Sequence, residues 1–391
     1  MDYSTKIESE TTVYFEVGSL YETLQTVTDQ RKARGKRYSL ALILTLSVLA
    51  KLAGQDTVSG IATWVKWRGE QLRSALGMSR KEMPHAATYR RVLGAGVKVA
   101  ELEGLVGDFL SQCAAYEDSL AIDGKCLRGT IPSGSTRGVY LLAIYAPHSG
   151  VVLRQVEIGS KENELSAAPS LLAEVDLTGK VITGDALFTQ RNLSEQIVKA
   201  KGHYLWTAKD NQPTLRADIE RLFAPESLPL ASGPLHTDFQ TASTVQKAHG
   251  RLETRTLTTS SLLNPTSDWP FLAQVFRLER NVYFLASGKT THEVVYGLTS
   301  LSATQASPQR LLDLNRSHWS IENRLHYCRD VVFHEDAGLA RYGQLPHVIA
   351  ILNNLVLSLL RLRGFDSPTD ARRRLDAWPS QALSLILCAF L

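Results

Sequence analysis

Cysteine is scarce in this sequence: there are four in 391 residues, Cys113, Cys126, Cys328 and Cys388, with no C-x-x-C pair. Such wide spacing excludes a disulfide framework and a cysteine-built zinc site, and it fits a reducing, cytoplasmic setting. Charge of one sign is lacking too. Lys and Arg number 43 against 39 Asp and Glu, a formal net charge of +4, so any contact with a polyanion has to come from local clusters. No apolar run is long and clean enough to span a bilayer. "LALILTLSVLAKLAG" (40–54) is short and carries Lys51, while "VIAILNNLVLSLLRLRG" (348–364) carries Asn353, Asn354 and Arg361. Both are expected as buried helices. The opening "MDYSTKIESE" is acidic and polar, unlike a secretory leader. There is no internal repeat or low-complexity tract. Apolar residues make up 44%, enough for a folded chain of two or three domains.

Residues 1–30 read as a lead-in helix behind a polar tail, followed by the basic run "RKARGKR" (31–37). Arg34, Lys36 and Arg37 in that run suit either a solvated linker or a segment that contacts phosphate. Helices are expected at about 39–53 and 57–76, the second with Ile61, Trp64, Trp67 and Leu72 as a core stripe. "MPHAATYRRVLG" (83–94) is a further short helix. Its Arg90 and Arg91 belong either to a recognition helix of helix-turn-helix type or to a solvated face. From residue 119 the texture turns to strands. "SLAIDGKCLRG" (119–129) reads as a strand running into a glycine turn and "GVYLLAIYAPHSGVVLRQVEIG" (138–159) as a hairpin. Helix (164–179), strand (180–187), helix (189–202) and strand (203–209) follow, which predicts a mixed α/β sheet with helices on its faces. Residues 210–310 add strands before the chain returns to helix at 307–330.

Two aspartates close apolar runs: Asp123 after "LAI" and Asp185 after "VITG". Each alone reads as a turn former. On adjacent strands they would bring two carboxylates to one rim of the sheet, where loops splay open. Facing carboxylates repel unless a proton or a cation sits between them, and an oxygen-only set suits Mg²⁺ or Mn²⁺. "SHWSIENRLHYCRDVVFHED" (317–336) offers a third acid. On a wheel of roughly 100° per residue, Ile321, Leu325, Cys328 and Val332 form an apolar stripe. Glu322 lies at its edge, with Asn315, His318, His326 and Arg329 on the same flank. Glu335 and Asp336 fall beyond the expected helix end. An amphipathic helix with a mixed solvated flank explains the same pattern, so the wheel leaves both readings open.

"AIDGKCLRGT", "GDALFTQRN", "HYLWTAKDNQPTL", "HGRLETR" and "HWSIENRLHYCRDVVFHEDA" together resemble the bacterial insertion-sequence transposases of the Asp-Asp-Glu class. The resemblance is to the ISAs-type, H-repeat-associated group, a relative of the insertion-sequence-4 superfamily. The stretch from "RKARGKRYSLALILTLSVLAKLAG" to "HAATYRRVLG" resembles that group's associated domain, so the likeness runs over about 30–365. It implies an α/β fold: an RNase H-like mixed sheet with flanking helices, interrupted by a β-rich insertion, plus an N-terminal helical domain. The expected division is 1–115 helical and DNA-binding, 116–210 first part of the core, 211–306 insertion, and 307–391 C-terminal helices of the core. The resemblance also implies that Asp123 in "IDGK", Asp185 in "GDAL" and Glu322 in "HWSIEN" are catalytic and hold Mg²⁺, as two ions, with Mn²⁺ as a substitute. The related superfamily has Tyr and Arg before its glutamate and Lys after it. Here Asn315, His318 and Arg329 occupy that neighbourhood, which puts those auxiliary roles in doubt.

The expected function is that of a DNA transposase, acting as a homo-oligomer on terminal inverted repeats and target DNA in the bacterial cytoplasm, at the nucleoid. Candidates for contact with the DNA backbone are Lys125 and Arg128, Lys209 and Asn211, and His318 and Arg329, besides Arg34, Lys36, Arg37, Arg90 and Arg91. Trp319 is expected as a buried aromatic, with stacking on an extruded base as its other reading. The alternatives are a transposase-derived DNA-binding protein without transposition activity, which three intact acids disfavour, and a host nuclease of RNase H-like fold.

Overall fold

Local caps and apolar spacing account for the helices of the first third. The computed structural model describes residues 17–34, 36–114, 117–159, 162–224, 238–338 and 340–390, and the polar tail ahead of them lies outside. Strand β1 (Val17–Ser19) leads into α1 (Leu20–Gln25). Ser19 opens that helix with a capping box, its hydroxyl accepting from the Glu22 N–H while the Glu22 carboxylate accepts from the Ser19 N–H. Ser39 caps α2 (Leu40–Leu52), which is buried nearly all round, as a helix apolar on every face must be. The helix expected over 57–76 is in fact two, α3 (Val58–Trp67) and α4 (Gly69–Ala75). Arg68 leaves helical geometry between them, lays its guanidinium 4.7 Å from the Trp64 ring centre and pairs with Asp376 at 2.8 Å. Trp67, the last residue of α3, falls outside the predicted stripe: it is 77% exposed, while Ile61, Trp64 and Leu72 are buried. Helices α5 (Ala86–Ala95) and α6 (Val99–Cys113) follow.

The middle of the chain builds one sheet. Its strands are β2 (Ser119–Leu127), β3 (Val139–Ala146), β4 (Val151–Glu157), β5 (Val181–Gly184) and β6 (His203–Ala208). They are joined by β7 (Gln240–Ala248), β8 (Arg251–Ser260), β9 (Gln274–Phe284) and β10 (Thr290–Thr299). Helices α7 (Glu164–Ala173), α8 (Arg191–Lys199) and α9 (Pro213–Phe223) connect them. The order is β4-β3-β2-β5-β6-β10-β9-β8-β7. Strands β2, β5 and β6 are parallel, β3 and β4 antiparallel to their neighbours. Strand β10 pairs antiparallel with β6 through Tyr296↔Ala208 to Thr299↔Leu205, so the strands of 240–299 extend the sheet edge instead of forming a separate one.

The chain ends in helices: α10 (Pro308–His318), α11 (Tyr327–Val331), α12 (Leu345–Leu362), α13 (Pro368–Ala377) and α14 (Pro379–Leu387). A last strand β11 (Ala389–Phe390) pairs antiparallel with β1. One core joins α1–α6 to α12–α14 and takes Ala121, Ala143 and Tyr145 from one face of the sheet. A second core lies on the other face, with Ile122, Leu142 and Ile144 packed against α7, α8 and α9. The sheet is thus sandwiched between two helical layers. Helix α12 is long and apolar enough to cross a membrane, yet 89% of it is buried within the protein. Fully buried Lys51 of α2 donates to Asn353 Oδ1 of α12 at 2.6 Å, tying the first helices to the last.

Candidate active site

Parallel pairing brings the two aspartates together. Ile122 of β2 pairs with Gly184 of β5, so Asp123 and Asp185 come next, side by side, where β5 stops. Asp123 does not end its strand, as "IDG" suggests: β2 runs on to Leu127 and stays paired with β3 as far as Val139. Strand alternation sends Asp123 to the face of Ala121, toward the C-terminal helices, and away from the face of Ile122. Exposed Asp185 caps the short 3₁₀ turn Ala186–Phe188, its Oδ1 accepting from the Leu187 N–H at 2.9 Å.

The third acid arrives on irregular backbone. Between α10 and α11, Ile321–His326 is a π-helical turn, so the continuous α-helix assumed by the wheel is interrupted. The extra residue in the turn lets both Leu325 and His326 face inward along with Ile321, while Glu322 stays exposed. Such turns are rare and concentrate at functional sites. Burial pushes the Asp123 carboxyl from 3.8 up to about 7; the Gly124 N–H opposes that push, and the charges of Glu322, Glu164 and Asp185 add to it. The four acids share one field. His326 is 5% exposed, and its Nε2 lies 3.6 Å from Asp123 Oδ2 without a hydrogen-bond partner. Burial drives its ring down to about 3, with Arg329, Lys125 and His318 adding to the effect, so it gives Asp123 no counter-charge.

This arrangement of acids sits inside a matching family region. Residues 117–359 match the family described as Transposase DDE domain, and residues 21–110 match its companion, DDE_Tnp_1-associated. The chain belongs to the DDE-domain transposase family. It is 28% identical over 357 residues to "Putative transposase YncI" of Escherichia coli O157:H7, covering 88% of each chain. It is 26% identical over 352 residues to "H repeat-associated putative transposase YhhI" of Escherichia coli strain K12, covering 88% of this chain and 91% of the relative. Among solved structures, a piggyBac transposase synaptic complex with hairpin DNA aligns over 94% of this chain and 77% of that one, at 14% identity and a TM-score of 0.40. A likeness that distant carries no argument about the site.

The transposase acts on DNA, and several residues expected to touch it are engaged elsewhere. Lys125 is 8% exposed, with its Nζ 2.6 Å from Asp330 and 4.0 Å from Asp336. Arg329 is fully buried, donating to Glu335 at 2.8 Å and to Gln155 at 3.2 Å. His318 is also buried, with Nδ1 3.3 Å from Thr183 Oγ1 and its ring pushed down to about 4 by burial. These three are internal ties, which corrects their reading as backbone contacts. Asn211 is exposed and donates to the Ala186 carbonyl at 2.6 Å, bracing the turn behind Asp185. Arg128 is exposed beside Asp336 at 3.8 Å, and Lys209 is exposed. Arg34, Arg37, Arg90 and Arg91 reach solvent; Lys36 does too while pairing with Asp29 at 3.4 Å. Trp319, expected to be buried, is 53% exposed.

Two features escaped the sequence reading. A cleft of about 510 Å³ opens beside Asp185, walled in part by Lys209, Arg251, Arg255, Arg280, Arg316 and Trp319. In its wall Glu253, 5% exposed, pairs with Arg251 at 3.6 Å, Arg255 at 2.6 Å and Arg280 at 2.5 Å. Glu293 also pairs with Arg280, at 3.5 Å, and with Lys209 and Arg316 added to the three guanidiniums the wall keeps surplus positive charge. The signal was the run of arginines in "GRLETR" and "FRLER", whose convergence needs the β8–β9 pairing. The other is Glu164, whose "ENEL" reads as nothing more than a helix start.

The family works with a divalent metal. The residues here fit a hard cation: the donors are all carboxylates, and no lysine or arginine pairs with Asp123, Asp185, Glu322 or Glu164 among the described residues. Among those residues no three His, Cys, Asp or Glu side chains close into a cage. That spacing suits an ion that keeps several waters and takes only one or two protein carboxylates.

Proposed function

We propose that this transposase cuts DNA at the ends of its element and joins the freed 3′-hydroxyls to target DNA. In this reading Asp123, Asp185 and Glu322 hold two Mg²⁺ ions, for which Mn²⁺ substitutes. The observation that carries it is the register Ile122↔Gly184, which makes Asp123 and Asp185 neighbours on a rigid sheet. When bound, the ions supply activation of the attacking oxygen and neutralise the leaving one. The protein's part is positioning. The sheet holds two of the acids, and burial of Ile321 and Leu325 holds the turn that carries the third.

An RNase H-like core is supported by the order β4-β3-β2-β5-β6, three antiparallel strands followed by two parallel ones. On that reading 116–210 and 307–391 make the core, 211–306 the insertion, and 1–115 a helical DNA-binding part. Strand pairing between β10 and β6 supports an insertion that works as a wall of the site. Arg34, Lys36, Arg37, Arg90 and Arg91 would contact the terminal inverted repeats, while Arg128, Lys209 and the arginine cleft take the strand near the acids. The transposase would act as a homo-oligomer on paired ends.

The test is cleavage of terminal-repeat DNA with Mg²⁺, with Mn²⁺ and with EDTA, run beside a gel shift. Wild type should cut only with metal, and Glu322→Gln should bind without cutting. Undiminished cleavage in EDTA, or by folded Glu322→Gln, overturns the reading.

A further inference from the structure

Glu164 is the first residue of α7, a helix that Asn163 caps by accepting from the Ser166 N–H at 2.9 Å. That helix lies on the face of the sheet opposite the π turn, since Ala168, Leu171 and Leu172 pack into the second core. Two observations bring its carboxylate to the other acids all the same. A Cβ on Gly124 would stand 2.2 Å from Glu164 Oε1 and 2.7 Å from Tyr140 Cε1, so the residue after Asp123 must be glycine for Glu164 to lie against β2. And β5 stops at Gly184, opposite Ile122, which leaves the flank of β2 beside Asp123 and Gly124 without a strand partner. Groups from both faces can meet at that gap.

What surrounds Glu164 argues against a purely structural role. Its Oε1 accepts from the Tyr140 hydroxyl, which fixes the carboxylate's orientation without neutralising it. Glu335 of the neighbouring segment is treated differently, being paired with buried Arg329. A further observation points to a ligand. His326 Nε2, buried and unpartnered, faces Asp123 Oδ2 from the opposite side of the cluster. A buried ring nitrogen without a partner calls for a ligand or an ordered water. We infer that Glu164 is a fourth carboxylate of the metal site, donating with Asp123 to one hydrated divalent cation while Tyr140 holds it in line. The inference rests on the metal site proposed above and adds a donor that the three-acid reading lacks.

The experiment is a Mn²⁺ titration of the full-length protein, with bound ion read by electron paramagnetic resonance and folding by thermal melts in chelator. Wild type, Glu164→Gln and Asp123→Asn are compared. Glu164→Gln should raise the Mn²⁺ Kd at least tenfold and leave the metal-free melting temperature equal or higher, since a repelled charge has been removed. An unchanged Kd, or a lower melting temperature with unchanged Kd, makes Glu164 a structural residue and overturns the inference. Should Glu164→Gln fail to fold, Glu164→Asp, which keeps the charge but withdraws it by one methylene, is judged by its Mn²⁺ Kd alone: a rise supports the inference and an unchanged value overturns it. Asp123→Asn separates the two claims. If it binds Mn²⁺ like wild type, the three-acid site itself is wrong; if it loses Mn²⁺ while Glu164→Gln does not, only the fourth donor is wrong.

Discussion

Two sets of acids lie close together around β2 and the 317–336 segment, and their surroundings are opposite. Asp330, Glu335 and Asp336 are each satisfied by a cation: Lys125 at 2.6 Å, Arg329 at 2.8 Å and Arg128 at 3.8 Å. Glu335 also accepts from Asn353 of α12 at 2.8 Å. Asp123, Asp185, Glu322 and Glu164 pair with no lysine or arginine among the described residues; besides one another they have the Tyr140 hydroxyl, the Leu187 N–H and a neutral histidine. The paired set fastens the segment bearing Glu322 to β2 and α12. The unpaired set keeps an uncompensated field at the place it fastens. A half-buried acid such as Asp123, left without a counter-charge, is costly to the fold and gives a cation something to neutralise. Residue type separates neither acids nor cations here; their partners do.

The largest effect expected from breaking this contrast is kinetic. Asp123→Asn, Asp185→Asn or Glu322→Gln should each slow strand cleavage about a thousandfold, roughly 4 kcal/mol of lost stabilisation. Circular dichroism and the gel shift should stay near wild type. A folded variant from this set that cleaves within tenfold of wild type would remove its residue from the site.

Next comes the paired set. Glu335→Gln leaves the Arg329 guanidinium buried without its counter-charge and should cost about 3–5 kcal/mol of stability. Urea melts read that loss, and cleavage by the fraction still folded should persist. Loss of cleavage in a variant as stable as wild type would instead move Glu335 into the unpaired set.

A pH effect follows from the unpaired set itself. The Asp123 carboxyl is raised from 3.8 to about 7, so between those values the folded protein holds a proton that the unfolded chain has lost. Stability of the metal-free protein should therefore fall as pH rises through that window, the reverse of an ion-paired aspartate. Asp123→Asn should flatten the fall in thermal melts run in chelator. Parallel curves for the two proteins would show that Asp123 is not the group responsible.

The smallest effect concerns the solvent-facing cations. Lys209→Ala with Arg316→Ala in the cleft, and Arg34→Ala with Lys36→Ala and Arg37→Ala near the N-terminus, should each weaken DNA binding. The slope of log K against log salt should shrink by about 0.9 for every phosphate contact removed. An unchanged slope in either variant returns that cluster to ordinary solvated surface.

Much of this was legible in one dimension because it is local. Strand alternation, the Pro-His-Ser-Gly hairpin and the order of strands and helices follow from residues close in sequence, and the three acids proposed to hold metal are named by motif. The tertiary structure decided what depends on distant partners. Lys125 and Asp330 are separated by 205 positions, and nothing around Lys125 tells whether its ammonium meets a phosphate or that carboxylate. Glycine after Asp123 looked like a turn because turns are glycine's commonest use; its actual reason is the Glu164 carboxylate lying against β2. The wheel placed Glu322 beside a buried stripe but could not foresee the π turn, since its inward residues meet a core assembled from both ends of the chain. Trp67, placed in a core stripe by its helical spacing, and Trp319, read as a buried aromatic, both face solvent. An aromatic ring has affinity for any apolar surface, and only the assembled fold determines whether one is within reach.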